Sequence, residues 1–273
     1  DVTTSMLWIG GQVTALRIIE GVIVPSLAAI IVPLVILTFT MKGNVQRPKI
    51  EKNEIEYTTQ KERILFLIIG VGGLLFVPVF KTVFHLPPYM GMLFSLGVIW
   101  VVGEIVHKDK PYEIKEKLKV VAILRKVDVP TVLFFLGILS AVAALQSAGH
   151  LSIMSQYLDE KLGNIYLIDL AIGVLSSIVD NVPLVAGAMG MYPITEVGAT
   201  GYDVFFVQDG LFWEFLAYTA GTGGSILIIG SAAGVAAMGL EKIDFIWYMK
   251  KISWLAIAGY LAGAAVYYLM FGM

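Results

Sequence analysis

Long apolar runs separated by short polar gaps dominate this chain. A helix needs about 20 apolar residues to cross a bilayer. Residues 18–40, 64–84, 88–106, 129–148 and 253–270 have that character and are expected to span. Pro25 and Pro33 fall inside the first run and predict kinks, because proline removes a helix hydrogen bond. The gaps read as a polar loop at 42–63, a tight His85-Leu86-Pro87 turn and a second polar loop at 108–128. Residues 112–126 mix Ile, Leu and Val with Lys, which suits a helix lying on the membrane surface. Asp128-Val129-Pro130 is a helix-start signal. Residues 150–163 are polar enough for a short interfacial helix.

Two apolar stretches are too long for one crossing and are broken near their middles. Residues 164–193 are interrupted by Ser176-Ser177-Ile178-Val179-Asp180-Asn181-Val182-Pro183. A carboxylate in hydrocarbon costs roughly 3 kcal/mol on insertion scales, and Pro183 forbids a continuous helix. The expectation is a re-entrant hairpin of two half-length arms with Asp180 and Asn181 at its tip. Residues 210–239 are interrupted by Thr219-Ala220-Gly221-Thr222-Gly223-Gly224-Ser225, which predicts a broken helix. Loop charge orients both. The 42–63 and 108–128 loops carry six and seven basic residues and are expected to be cytoplasmic. Residues 195–208 have no basic residue and 241–251 have three lysines. If 164–193 crossed once, these two segments would lie on the wrong sides. A hairpin that enters from outside and returns there satisfies the rule.

Composition agrees. The chain is 58% hydrophobic and 15% charged, against about 45–50% and 25% for soluble domains, so an all-α, multi-pass integral membrane protein is expected. The net charge of −2 points to no nucleic-acid partner, and the absence of cysteine removes disulfide and thiolate chemistry. His85, His107 and His150 have no metal-site spacing. The opening Asp1-Val2-Thr3-Thr4 reads as the middle of an element, so an N-terminal half of the same protein is expected to precede it. The plan of residues 1–40 resembles that of 231–270: a small-residue polar start, a short helix, a link and a span. Their expected directions are opposite, the arrangement of inverted repeats that bind at the midplane. Residues 1–128 are read as the end of the first repeat with connecting, scaffold-like helices. Residues 129–273 are read as the second repeat, holding the hairpin 164–193 and the broken helix 210–239.

Several residues are candidates for chemistry. The oxygens of Asp180 and Asn181 suit a hard cation such as Na+ or Li+, and a carboxylate also carries a proton. The competing reading makes Asp180 or Asn181 a helix cap with Pro183 in the first turn. Ser176 and Ser177 offer hydroxyls, or simply small size for packing. Thr222, Gly223, Gly224 and Ser225 offer hydroxyl and carbonyl oxygens at a helix break, or a close helix crossing. A phosphate loop is rejected there, since no lysine follows the glycines. Asp1, Thr3 and Thr4 are read as the remnant of the matching break in the first repeat. Asp169 is a second titrating acid or an interfacial residue. Asp209 and Glu214 are expected near the outer end of the broken helix, as interfacial solvated residues or, in the second reading, at an entrance to the site.

The runs Asp180-Asn181-Val182-Pro183-Leu184-Val185, Asp209-Gly210-Leu211-Phe212-Trp213-Glu214 and Leu133-Phe134-Phe135-Leu136-Gly137-Ile138-Leu139 resemble the NhaD-type sodium/proton antiporters of the ion transporter superfamily. So do Gly221-Thr222-Gly223-Gly224-Ser225 with the run on to Ala236, and Asp1-Val2-Thr3-Thr4. The resemblance covers essentially the whole chain. It implies an inverted-repeat ion transporter fold, often a homodimer, in which Na+ or Li+ leaves in exchange for protons. Taken with the residue chemistry above, ion ligands are expected at Asp180, Asn181, Ser177, Thr222, Gly223, Ser225, Asp1 and Thr3, and proton coupling at Asp180 and Asp169. Transported ions apart, no cofactor is expected; the expected location is a bacterial inner membrane. Two alternatives are carried: a dicarboxylate or other anion carrier of the same superfamily, and an intramembrane aspartyl enzyme using Asp180 with Asp169.

Overall fold

The computed structural model describes residues 2–41, 43, 57–127 and 129–272. Among these the protein is all-α. In chain order the helices are α1 (Val2–Gly10), α2 (Ala15–Thr40), α3 (Gln60–Phe84), α4 (Pro88–Val106), α5 (Tyr112–Leu118), α6 (Val120–Leu124), α7 (Val129–Ser147), α8 (His150–Leu162), α9 (Ile165–Leu175), α10 (Asn181–Met191), α11 (Leu211–Gly223), α12 (Ala232–Glu241), α13 (Phe245–Lys251) and α14 (Ser253–Phe271). Five of them, α2, α3, α4, α7 and α14, are long and apolar enough to cross a membrane. They are the five spans expected from hydropathy. Asp128, read as part of a helix start, lies outside the described residues.

The chain packs as two compact units, residues 1–43 with 134–273, and residues 44–133.

In the 44–133 unit, α3 and α4 form an antiparallel pair. Ser95 Oγ donates to the Gly73 carbonyl at 3.1 Å, and Phe66 stacks on His107 at 5.3 Å. The start of α3 is fixed by a reciprocal capping box between Thr59 and Glu62, and Lys110 reaches Glu62 at 2.7 Å. The reversal between the helices is made by His85 in the left-handed region, φ 55°. The 112–126 surface helix is two pieces, because Lys119 adopts an extended backbone between α5 and α6.

In the other unit, α2 and α14 pack along their lengths in opposite directions. A Cβ on Gly259 would meet the carbonyl of Ala29, and one on Gly263 would sit 2.5 Å from that of Pro25. Pro33 has no N–H for the Ala29 carbonyl. The freed carbonyl therefore faces a helix that passes close only because residue 259 is glycine. This is how membrane helices associate when lipid removes the hydrophobic drive: small residues let backbones approach. The core of the unit lies where α1, α9, α10 and α11 meet around Leu7, Ile168, Val185, Phe212 and Leu216.

Candidate functional site

The hairpin is built by its caps. Asn164 Oδ1 accepts the Tyr166 N–H at 2.9 Å and starts α9. That arm ends at Leu175, a turn follows, and Asp180 Oδ1 accepts the Val182 N–H at 3.3 Å to start α10. Pro183, in the first turn, has no amide to leave unsatisfied. Asp180 is thus the N-cap, as one reading of the sequence had it. A cap occupies one carboxylate oxygen, so the cap does not conflict with a ligand role for the other. Asp180 and Asn181 are half-buried.

The return of the hairpin is visible in its partners. Tyr192, just past α10, and Tyr202 both donate their hydroxyls to Asp159 of α8, at 3.0 and 3.1 Å. The segment before the hairpin and the segment after it therefore lie together, so α9 and α10 enter and leave on one side. α11 runs parallel to α9: Tyr166 meets Phe215, and Ser176 Oγ donates to the Ala220 carbonyl at 3.0 Å.

The break in 210–239 is also present. α11 stops at Gly223, a short 3₁₀ turn spans Ile228–Gly230, and α12 begins where Ser231 Oγ accepts the Gly234 N–H at 3.1 Å. Hairpin turn and break approach closely at the backbone. A Cβ on Gly230 would lie 2.6 Å from the Ser176 carbonyl oxygen and 2.7 Å from that of Ser177, and one on Gly223 would overlap the Gly173 carbonyl. The electrostatics at this junction suit a cation. The α11 C-terminus presents the negative end of a helix dipole, the N-terminus of α10 is offset by Asp180, and that of α12 is capped by the Ser231 hydroxyl. Thr222 and Ser225 line an otherwise mainly apolar cleft of about 370 Å³, together with Ser26, Pro33 and Tyr260 among others. Thr222 Oγ1 donates to the Tyr218 carbonyl at 2.6 Å, which leaves its lone pairs to accept or coordinate.

The residues singled out from sequence divide as follows. Ser177, Asp180 and Asn181 are on the tip, and Thr222, Gly223 and Ser225 are on the break beside it. Ser177 is buried and Ser225 exposed. Thr3 is completely buried in α1, which packs on both α10 and α11. Asp1 lies outside the described residues. Asp169 is not at the tip. It is enclosed one turn into α9, with 0% exposure and neither carboxyl oxygen hydrogen-bonded. That excludes the shared-proton carboxyl dyad an aspartyl enzyme would need from Asp169 and Asp180.

One expectation is corrected. Glu214 is not a solvated interfacial residue: its exposure is 0% and it is ion-paired to Arg17 Nε at 2.6 Å. Tyr267 Oη donates to its other oxygen at 3.2 Å, and a Cβ on Gly21 would come within 2.6 Å of that oxygen. Nearby, Asp209, at φ 60°, accepts from the Thr14 amide at 2.5 Å and the Thr14 hydroxyl at 3.0 Å, while its own amide donates to the Gln12 carbonyl at 2.8 Å. These bonds tie the α1–α2 loop to the start of α11. The only signal in the sequence was an arginine at the head of one apolar run and a glutamate in the first turn of another.

A re-entrant hairpin docked on a broken helix, with spans long enough to cross a bilayer, defines an integral membrane protein built like a secondary transporter. The chain belongs to the family described as citrate transporter, CitMHS, which it matches over residues 4–208. It is 46% identical to "Sodium/proton antiporter 1" and 41% identical to "Sodium/proton antiporter 2", both of Arabidopsis thaliana, over 98% of this chain and 44% and 61% of those proteins. It is 29% identical to "Na(+)/H(+) antiporter NhaD" of Vibrio cholerae over 99% of this chain and 57% of that protein. The NhaD resemblance read from the motifs is therefore upheld, and the relatives are transporters rather than enzymes. The chain spans about half the length of the curated relatives it matches. No solved structure matches it.

Proposed function

We propose that this chain forms the second half-site of a secondary transporter that exchanges Na+ or Li+ for H+. The observation that carries the reading is the meeting of the Ser176–Ser177 turn, which leads into Asp180 and Asn181, with Gly230 of the break. The tip supplies carboxylate and amide oxygens. The break supplies the Thr222 and Ser225 hydroxyls and the free carbonyls at the end of α11. Ser177, Gly223 and Thr3 belong to the same ligand neighbourhood, and Asp1 to its continuation. Asp180 and Asp169 are the acids proposed to couple protons to the cation. The matching half-site belongs to the N-terminal half of the protein, and the working form is a homodimer. An integral membrane location follows from the spans. A bacterial inner membrane is supported by the NhaD relatives, while the two plant relatives share more identity.

The family's description raises a citrate or dicarboxylate carrier as the second reading. An anion site needs cationic side chains or helix N-termini aimed at the substrate. From Asn164 to Glu241 the sequence has no lysine or arginine, and the α10 N-terminus at the tip is capped by a carboxylate. Both features favour a bare cation.

The test is transport in vesicles holding the full-length protein. Asp180→Asn, which keeps the shape and a capping oxygen, is expected to reduce Na+-driven proton movement to background. Transport at wild-type level in that variant overturns the assignment.

A further inference from the structure

Among the described residues two carboxyls are fully enclosed, Asp169 and Glu214, and their settings are opposite. Glu214 has Arg17 and Tyr267. Asp169 has no partner on either oxygen. The seam that encloses it is tight. Asp169, Gly173 and Ser176 share one face of the hairpin arm, at i, i+4 and i+7. At Gly173 a Cβ would lie 2.7 Å from the Thr219 carbonyl oxygen and 2.8 Å from the Thr219 side chain, and it would overlap the Tyr260 hydroxyl. Tyr260 Oη in turn donates to the Leu170 carbonyl at 3.0 Å.

The titratable groups around Asp169 come from every packed element. Tyr166 is on its own helix, Tyr192 follows α10 and Tyr202 is in the Gly201–Phe206 turn. Tyr260 and Tyr267 are on α14, and these five lie within electrostatic range of its carboxyl. α11 contributes Glu214, already paired. α8 carries His150, Asp159, Glu160 and Lys161, of which Asp159 is occupied by Tyr192 and Tyr202. None of them gives Asp169 a hydrogen bond or an ion pair. An ionised carboxylate has nothing to replace water there.

We propose that Asp169 is a proton-binding site distinct from the cation ligands at the tip, loaded while the α9–α11 seam is closed and emptied only when the seam admits water. On release the carboxyl O–H bond breaks, the proton passes to a water molecule, and the carboxylate stays behind in a hydrated cleft. The inference rests on the antiport reading and deepens it: proton loading at Asp169 reports the closed seam, and exchange is coupled through that seam rather than solely through competition at Asp180.

Infrared difference spectroscopy of the purified full-length protein tests this without relying on transport. At neutral pH the wild type is expected to show the C=O stretch of a protonated carboxyl, with a slow shift on transfer to D2O. Asp169→Asn removes the band, Asp169→Glu moves it, and Asp180→Asn leaves it in place. A spectrum unchanged by both Asp169 variants, or a band that shifts in D2O as fast as exposed carboxyls, overturns the proposal. If Asp169→Asn does not fold, the Asp169→Glu band and the wild-type exchange rate decide it. The two readings fail separately: active Asp180→Asn protein with the Asp169 band intact removes the tip assignment alone, whereas a missing Asp169 band with inactive Asp180→Asn protein removes the proton site alone.

Discussion

Arg17→Ala is expected to destabilise the full-length protein by about 3 kcal/mol, the lower end of the roughly 3–5 kcal/mol that follows when one partner of a buried pair is removed. The lower end applies because Arg17 keeps 37% of its side chain exposed while Glu214 has none, so part of the pair is screened. What remains after the substitution is a buried carboxylate with one hydrogen bond, from Tyr267 at 3.2 Å. It has little freedom to escape, since Gly21 lies against one oxygen. Arg17 also sits over the Phe271 ring at 5.4 Å, and alanine removes that cation–π attraction as well. Glu214→Gln removes the charge and keeps most of the shape, and is expected to cost less. The double variant Arg17→Met, Glu214→Leu is expected to recover most of the loss, because a well-packed apolar pair often equals a buried ion pair. Thermal unfolding in detergent, followed by tryptophan fluorescence, measures the three variants against wild type. Single variants within about 0.5 kcal/mol of wild type, the range of ordinary surface changes, would show that the pair contributes nothing to holding α2 against α11.

That pair also marks where reading the sequence stops. The spans were legible because a bilayer demands runs of fixed length. The hairpin was legible because Asp180-Asn181-Val182-Pro183 interrupts an apolar run and the flanking loops differ in lysine content. The break was legible from consecutive glycines. Arg17 and Glu214 are 197 positions apart, and each looks like an ordinary charge at a span end. Only the folding of the α1–α2 loop onto residues 207–210 brings them together. The enclosure of Asp169 was equally hidden. A carboxylate one turn into an arm faces outward or inward according to helix phase, and the phase is set by the Gly173 crossing rather than by apolar periodicity. The grouping of residues 1–43 with 134–273 follows from the packing of α2 on α14, which depends on a carbonyl freed by Pro33 and on Gly259.

Gly223→Ala should have the sharpest effect on the site itself. The added methyl would overlap the Gly173 carbonyl oxygen and lie 2.6 Å from its carbon. Both are backbone atoms, so no rotamer change relieves the clash. Neither helix can easily move. Ser176 is hydrogen-bonded to Ala220 at 3.0 Å on one side of the crossing, and Tyr260 to Leu170 at 3.0 Å on the other. Overpacking costs about 1–3 kcal/mol when side chains can adjust; here a cost at or above about 3 kcal/mol is expected. Protein that still folds should have the tip and break forced apart, and Na+-driven proton movement should be lost beyond what the stability change explains. Gly187→Ala is the control. It lies inside α10 with nothing within 4 Å of the new carbon, and alanine there should be neutral or stabilising by up to about 1 kcal/mol. A Gly223→Ala protein as stable and active as the Gly187→Ala protein would mean that the two backbones do not meet at this point. No second substitution can make room for the methyl, because the residue opposite, Gly173, is already the smallest available. That absence of a rescuing partner separates a backbone crossing from an ordinary side-chain clash.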